Sequence, residues 1–253
     1  MVIRAELAAR GATVIEELSG TEPWRPRILA SARAGAAARA AARVVLVQSR
    51  ASLLAGDDVE LSVAVGPGAS LEVVELAATV AHDVRGGCGA AVRVGLEVEA
   101  GGCLLWLGEP LIVAAGARLE RTTILELAPA ARALLGERVV LGRTRERPGA
   151  LVTRTRIACD GAPLLDETLD TGDAETLTSA VVAGAARMVA GLTLAGIRDG
   201  DPPAGAMQAH GPATLWRSAG PARAGGGWPD ALAARWRGLA LAADGAPAPA
   251  VHA

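Results

Sequence analysis

The stretch LLAGDDVELSVAVGPGASLEVVELAATVAHDVRG, residues 53–86, contains the clearest structural pattern in the chain. Over DVELSVAV (58–65), large apolar side chains alternate with polar or small ones, and a GPGA turn (66–69) follows at once. A period of two is the signature of a strand that buries one face and exposes the other. The stretch therefore predicts a β-strand, a tight turn and a second strand.

The same alternation recurs in VRVGLEVEAG (92–101) and LVTRTRIACDG (151–161), and glycine-rich turns separate the alternating segments. Antiparallel sheets commonly bury one face and expose the other, so we predict half-buried antiparallel strands. Turns at this density favour an all-β sandwich, a barrel or a solenoid.

A short sequence pattern recurs, with small variations, at three of the turns. GASL (68–71), GCLL (102–105) and GARL (116–119) each place a glycine three residues before a leucine that we expect to point inward. The unequal spacing is not a strict repeat, but it fits stacked hairpins that share one turn geometry.

Helical patterns appear only towards the C-terminus. DTGDAETLTSAVVAGAARMVAGL (170–192) offers a cap at Thr171 or Asp173, and PDALAARWRGLALAAD (229–244) has a proline near its first helical position. Two sets of residues lie at helical spacing: Leu177, Val181, Ala185 and Met188, then Leu232, Trp236 and Leu239. The predicted fold is mainly β, with stacked strands and one or two helices in the C-terminal third. We expect one domain over 1–244 and a disordered tail over 245–253.

Composition argues against several classes of function. The 253 residues include 25 basic and 27 acidic ones, and Phe and Tyr are absent. A net charge of −2 leaves no electrostatic footprint for nucleic acid, and aromatic stacking platforms are scarce. No segment provides the roughly 20 apolar residues of a membrane span, and MVIRAELAAR (1–10) lacks the apolar run of a signal peptide. The expected location is therefore the cytoplasm, with neither nucleic acid nor membrane as a partner.

Familiar catalytic and metal-binding motifs are missing from the sequence. There is no G-x-S-x-G, no Walker A pattern, no H-E-x-x-H and no C-x-x-C pair. Adjacent acids do occur, at Asp57 and Asp58 and at Asp166 and Glu167, and glycosidases use paired carboxylates. A β-sandwich or β-helix hydrolase therefore stays open as an alternative.

One ordered succession of motifs is more specific than any of its parts. It consists of five short segments in the central half of the chain: GD (56–57), GPGA (66–69), AAT (77–79), LLWLGEP (104–110) and ERVVLGR (137–143). This succession resembles the UreD family of urease accessory proteins, called UreH in some organisms. The match differs at LGEP (107–110), where the family usually has L-P-x-P.

The resemblance implies a scaffold rather than an enzyme. UreD-type proteins have a solenoid-like β fold, bind a UreF-type partner that recruits the GTPase UreG, and dock on apo-urease to help install nickel. They hold no tight cofactor, and an internal tunnel lined partly by acidic residues is the suggested nickel path. Carboxylates give weak, fast-exchanging nickel sites, whereas tight sites use imidazole or thiolate.

Three acids match the family pattern and are therefore candidate carboxylates of a transient nickel path. Asp57 matches the G-D pair, although an aspartate at this place also caps a turn. Glu137 matches a family acid, although it can also form a structural ion pair with Arg138, Arg143 or another arginine. Glu167 falls where the family has acids, although it also reads as a residue of a solvated strand face.

Two further residues have expected structural or interface roles. Arg143 is expected to hold a carboxylate or a backbone carbonyl through its two-pronged guanidinium. Thr79 is expected to contribute packing or a strand hydroxyl.

Three functions stay open, and the interior of the fold distinguishes them. The nickel scaffold predicts an acidic channel wall. The hydrolase predicts Asp57 facing Glu137 or Glu167 across a cleft of roughly 5–10 Å. A β interaction module without a metal role predicts an apolar wall.

Overall fold

The structure is a computed structural model that describes residues 1–9, 11–29, 40–50, 52–172, 177, 179, 183–184, 186–222 and 226–242. The predicted tail over 245–253 and the proposed cap Asp173 lie outside the described residues.

Eighteen strands and a C-terminal helix make up the regular structure of the described residues. The first nine strands are β1 (Val2–Leu7), β2 (Thr13–Ser19), β3 (Trp24–Leu29), β4 (Ala42–Gln48), β5 (Ser52–Leu53), β6 (Asp58–Val65), β7 (Ser70–Glu75), β8 (Thr79–Ala81) and β9 (Ala90–Val98). The other elements are β10 (Cys103–Leu107), β11 (Leu111–Val113), β12 (Arg118–Leu127), β13 (Arg132–Leu141), β14 (Ala150–Cys159), β15 (Ala162–Asp170), β16 (Met188–Ala195), β17 (Ala206–Gln208), β18 (Ala213–Gly220) and the helix α1 (Asp230–Leu241).

The strands form two sheets that face each other. The seven-stranded sheet has the order β15-β14-β12-β9-β6-β1-β2. The eleven-stranded sheet has the main path β17-β18-β16-β13-β10-β7-β4-β3, and the short strands β5, β8 and β11 pair beside it. The mainly β, solenoid-like architecture expected from the sequence is confirmed.

Successive turns of the chain stack as the rungs of a solenoid. On the eleven-stranded sheet, Ser70 pairs with Cys103 and Cys103 pairs with Arg132, so the two rungs are 33 and 29 residues long. On the seven-stranded sheet, Asp58 pairs with Ala91 in the same parallel sense. Each rung therefore adds one strand to each sheet, and residues at equivalent positions stack in columns.

The prediction of antiparallel strands is wrong for the centre of the fold. β6, β9, β12 and β14 pair in parallel, and antiparallel pairing is found at positions such as β1 with β2 and β14 with β15. Alternation reports only that one face of a strand is buried. Here the inner faces of the two sheets bury each other. Polar side chains of β6 and β9 are exposed on the outer face of the seven-stranded sheet, and no helix of the described residues covers that face.

One turn geometry recurs between the rungs. Among the turns of this kind are five in which the second central residue is left-handed and a backbone N–H bonds the carbonyl three residues back. The left-handed residues are Gly56, Gly68, Gly101, Gly116 and Ala130, with φ of 76°, 67°, 66°, 75° and 60°. A proline precedes two of them, which is the pattern of a type II turn.

The repeated pattern of a glycine three residues before a leucine correctly locates this turn in two of the three segments. Gly68 and Gly116 are left-handed, and the leucines three residues later, Leu71 and Leu119, are buried between the sheets. In the middle segment the left-handed residue is Gly101, so Leu104 points inward. Leu105, which the sequence places inward, packs on the outer face instead, because the alternation is shifted by one residue.

The main core fills the space between the two sheets. It is built from Val, Leu and Ile side chains, with Trp24 and Trp106 as its aromatic members. A second core lies on the outer face of the eleven-stranded sheet, where α1 packs on Leu105, Leu134 and Leu192. The helix predicted over 229–244 is thus present, with Pro229 at its N-cap position.

An interaction network fastens α1 to the sheet. Asp199, with a side chain only 1% exposed, accepts hydrogen bonds from Arg235 and from the indole N–H of the fully buried Trp236. Burial alone would raise the pKa of Asp199, but these hydrogen bonds outweigh it and hold the pKa below its usual value. At the other end of the helix, Arg132 donates to the backbone oxygens of Leu239 and Ala242.

The first predicted helix is wrong at its C-terminal end. Met188 begins strand β16, which continues to Ala195 and pairs with β13. Leu177 is helical, but Val181 and Ala185 lie outside the described residues. No helix in the described ranges is long and apolar enough to span a membrane.

Replacing Gly56 by Ala should lower the free energy of unfolding by about 1 kcal/mol, because an L side chain is strained at a left-handed φ. The added methyl group would meet no heavy atom within 4 Å, so the cost reports the backbone alone. Urea unfolding measures it. Gly200→Ala is the control, since that site is equally open and its φ is not left-handed. Equal stability of the two variants would contradict the turn assignment.

Replacing Asp199 by Asn should cost on the order of 3 kcal/mol, because it leaves the Arg235 charge without its carboxylate. The folded pKa of Asp199 is lowered, so its contribution is complete above about pH 4 and disappears as the pH falls towards that pKa. The gap in melting temperature between wild type and variant should therefore narrow in acid. Asp201→Asn is the control, because Arg235 binds the backbone oxygen of that residue.

Candidate functional site

Two adjacent cavities lie between the sheets and share Leu135 and Glu137 in their walls. We call the pair the internal passage. Cavity 1 has about 60 Å³ of free volume and cavity 2 about 70 Å³, so each holds a few water molecules. Cavity 1 lies among the central rungs, and cavity 2 reaches β15 and β18. Most of the residues that line the two cavities are apolar, and a few charged side chains project among them.

Stacking of the rungs arranges the acids of the passage. Val73 pairs with Trp106, and Leu107 pairs with Gly136, so the next positions in register are Glu75, Gly108 and Glu137. They form one column across β7, β10 and β13. Glu75 and Glu137 are separated by two strand spacings, about 10 Å. The glycine between them leaves the column open, since a methyl group there would lie 3.3 Å from the Glu75 carboxylate.

Glu75 is a carboxylate held inside cavity 1. It accepts a hydrogen bond of 2.8 Å from the indole N–H of Trp106. Burial raises the pKa of Glu75, although the nearby Arg121 guanidinium and the hydrogen bonds from Trp106 and the backbone of Glu109 act in the opposite direction. The passage therefore contains an acid that is easier to protonate than a solvent-exposed one.

Glu137 lies where the two cavities meet. One carboxylate oxygen accepts a 3.1 Å hydrogen bond from Thr155, and the other lies 3.3 Å from the guanidinium of Arg121. The second oxygen is buried and has no hydrogen bond. Its ion pair is with Arg121, which projects from the facing sheet, so the partner is one of the other arginines that the sequence left open beside Arg138 and Arg143.

Glu167 and Glu109 stand at the two ends of the passage. Glu167 lines cavity 2 from β15 and is held by Arg217 of β18 at 2.7 to 3.1 Å, which joins the two sheets. Glu109 lines cavity 1, and its carboxylate lies 3.4 Å from Arg138. The sequence suggested a solvated strand face for Glu167, and its side chain is 45% exposed.

Asp57 is placed apart from these acids. Its carboxylate accepts hydrogen bonds of 2.8 Å from the backbone of Leu54 and of 2.7 Å from Arg50, and it lines neither cavity of the passage. It fastens the turn that starts β6. Its neighbour Asp58 is exposed on the outer face and pairs with Arg93.

The other two predicted residues have local partners. Thr79 is buried in the wall of cavity 1, and its hydroxyl accepts a 2.7 Å hydrogen bond from Gln48. Arg143 holds the carboxylate of Glu146 at 2.7 to 3.0 Å on the surface, away from the passage.

Sequence reasoning missed three residues of the passage. Glu75 continues the inward series of Leu71 and Val73, and Arg121 continues that of Leu119, so alternation alone could have found both. Glu109 lies in the loop after β10, where alternation gives no signal.

The passage does not provide the ligands of a tight metal site. Within the described part of the chain, no group of three or more His, Cys, Asp or Glu side chains is placed to hold a metal ion. His82 lies outside the passage, and Cys88, Cys103 and Cys159 form no disulfide and line neither cavity.

Fold and passage together define a β-solenoid-like protein with a few charged side chains in its interior. A family model described as UreD urease accessory protein matches residues 3–243. The chain belongs to the UreD family of urease accessory proteins.

Named relatives agree with this assignment. Urease accessory protein UreD 1 of Saccharopolyspora erythraea is 38% identical over 246 residues, which cover 95% of this chain and 92% of that protein. Urease accessory protein UreD 1 of Streptomyces griseus subsp. griseus is 47% identical over 161 residues, 64% of this chain and 63% of its own length. UreD 3 of the same organism is 38% identical over 225 residues, 87% of this chain and 85% of its own length.

Replacing Glu75 by Gln should raise the melting temperature at pH 8. The folded pKa of Glu75 lies above the ordinary carboxyl value of 4.5, so the wild type loses stability as the pH rises from that value through the raised pKa. The amide keeps an oxygen for Trp106 and has no charge to bury. The advantage of the variant should shrink near pH 4.5, and Glu126→Gln, on the exposed face of β12, should show no such trend.

Proposed function

We propose that this protein is a maturation scaffold for urease that passes nickel along the internal passage. The observation that carries the proposal is the position of Glu137, a carboxylate in the wall shared by both cavities. Glu75, Glu109 and Glu167 extend the line of oxygen ligands on either side of it. The family assignment and the names of the relatives support the link to urease.

The donor set suits transit better than storage. Nickel is held tightly by imidazole or thiolate, whereas single carboxylates exchange the ion quickly. Each acid of the passage offers one carboxylate, and the backbones of Glu75 and Glu137 are about 10 Å apart. Among the described residues, no group of three or more acids, histidines or cysteines is placed to hold one ion. A nickel ion in transit would therefore be passed from one carboxylate to the next.

The acid assignments differ from those expected from the sequence. Glu137 and Glu167 remain candidates for the nickel path, and Glu75 and Glu109 join them. Asp57 is better assigned to the turn, because both of its described contacts tie it to the segment before β6.

The alternatives are less well supported by the same geometry. A hydrolase of the expected kind needs Asp57 opposite Glu137 or Glu167, and Asp57 lies outside both cavities. A β interaction module without a metal role needs an apolar channel, and this wall contains four acids and three arginines. We therefore propose that the chain acts without catalysing a reaction of its own.

The proposed partners are UreF-type and UreG-type accessory proteins and apo-urease. Co-expression of the tagged full-length chain with a UreF-type protein and urease subunits should yield a complex that survives size-exclusion chromatography. A chain that elutes alone with all of them present would count against the scaffold.

Replacing Glu137 by Gln should reduce urease activation severalfold in cells grown with limiting nickel, because the amide lacks the charge that attracts the ion. Urease activity and nickel content of the purified urease measure the effect. Glu126→Gln removes one carboxylate from the outer face of β12 and should leave both values unchanged. If the Glu137→Gln variant activates urease as well as the wild type does, the proposal of nickel transfer through the passage is contradicted. The proposed scaffold role would not be affected by that result.

A further inference from the structure

Each acid at the ends and centre of the passage faces one arginine. Glu109 pairs with Arg138 at 3.4 Å, Glu137 with Arg121 at 3.3 Å, and Glu167 with Arg217 at 2.7 Å. A passage proposed to carry cations thus contains three positively charged side chains. This is an unexpected arrangement, because a guanidinium repels a metal ion from the carboxylate that it covers.

The three arginines are not equally fastened. Arg138 donates to the backbone oxygens of Gly108 and Gly226 and stacks on Trp228 at 4.6 Å. These contacts make its guanidinium part of the wall.

Arg217 is fastened as well. Besides Glu167, it donates to the backbone oxygens of Leu192 and Trp216 and to the hydroxyl of Thr193. Its guanidinium lines cavity 2 and joins the two sheets through Glu167.

Arg121 is different. Among the described residues, its contacts are the ion pair with Glu137, in which the geometry of a hydrogen bond is not met, and the electrostatic attraction of Glu75. No backbone carbonyl holds its guanidinium in the contacts of the described ranges. Its side chain is 21% exposed and borders the free volume of cavity 1, so the guanidinium has space beside it.

We propose that Arg121 is the resident counter-ion of the passage and that a divalent cation takes its place beside Glu137 as it moves through. The proposal rests on the proposed function and concerns the control of the same site. With no cation present, the guanidinium neutralises Glu137 and keeps the interior stable. When a cation arrives, Arg121 swings away and frees the carboxylate, and it returns when the cation leaves.

This competition keeps the affinity for the cation low. Every binding event at Glu137 must break the ion pair with Arg121. This cost lowers the affinity for the cation, and the ion pair forms again when the cation leaves. Without Arg121 the carboxylate would be buried without a counter-charge, and it would hold the cation instead of passing it on. Arg121 is therefore a positioning residue that decides between transit and trapping.

The test is Ni²⁺ binding to the purified full-length chain by equilibrium dialysis at low salt. Arg121→Gln should bind Ni²⁺ about tenfold more tightly than wild type, which corresponds to ~1.4 kcal/mol. Arg118→Gln is the matched control, because it removes the same charge from the exposed face of the same strand and should leave the affinity unchanged. Equal gains in both variants, or no gain in Arg121→Gln, would overturn the proposal.

Two further variants test whether the gain in Ni²⁺ affinity comes from the ion pair between Arg121 and Glu137. Arg121→Lys keeps the positive charge and should bind Ni²⁺ as weakly as wild type. Adding Glu137→Gln to Arg121→Gln should remove the gain, and a double variant that still binds tightly would place the ion elsewhere. Circular dichroism and melting temperature verify that each variant is folded, and Arg121→Met, of similar length, replaces Arg121→Gln if the latter is not.

Chemical rescue separates a counter-ion from a structural role. Arg121→Ala leaves space for free methylguanidinium, which should weaken Ni²⁺ binding by this variant and leave the wild type unaffected. A residue that only supports packing would not show this response. The outcomes are independent of urease, so a failed activation test of Glu137→Gln and a failed affinity test of Arg121→Gln are distinguishable.

Discussion

In-register stacking of parallel rungs is the constraint on which the rest of the structure depends. It places Ser70, Cys103 and Arg132 in one row, and every position further along those strands inherits the same alignment. Inward positions thus become columns of leucine and valine that bury each other. The same rule puts Glu75 and Glu137 in a column with a glycine between them, so the polar interior is a product of the repeat and not of a separate insertion.

Two kinds of local chemistry keep the rungs aligned. Left-handed residues such as Gly56 and Gly68 reverse the chain in tight turns of one shape, which fixes where each strand begins. On the outer face, α1 is held by the buried carboxylate of Asp199, and it covers the leucines of the eleven-stranded sheet that would otherwise meet water. The seven-stranded sheet needs no such cover, because its outer face is polar.

The alternation of apolar and polar residues predicts most of the strands and their buried faces. It does not predict the direction of neighbouring strands or the pairing of side chains from distant strands. Alternation identifies a strand and its buried face, which is why β6, β9 and β14 were predictable, but it does not encode the direction of a neighbouring strand. Glu137 and Glu167 were found through the resemblance to a family. Their arginine partners, Arg121 and Arg217, come from distant strands, and only the register brings them together. Glu75 shows the opposite case, since the alternation of Leu71, Val73 and Glu75 places it on the inward face.

The acids of the column point into the passage only if the number of residues between each turn and each acid is kept even or odd as it is now. Because side chains alternate between the two faces, the distance along the chain from the turn at Gly68 to Glu75 must keep its parity for the carboxylate to point inward. Losing a single residue between them would turn Glu75 outward and a neutral neighbour inward, even though composition and hydrophobicity would hardly change. Insertions and deletions in this lineage should therefore be tolerated in loops beyond the strands, and two chains of equal length and similar composition can differ in whether they possess a passage at all.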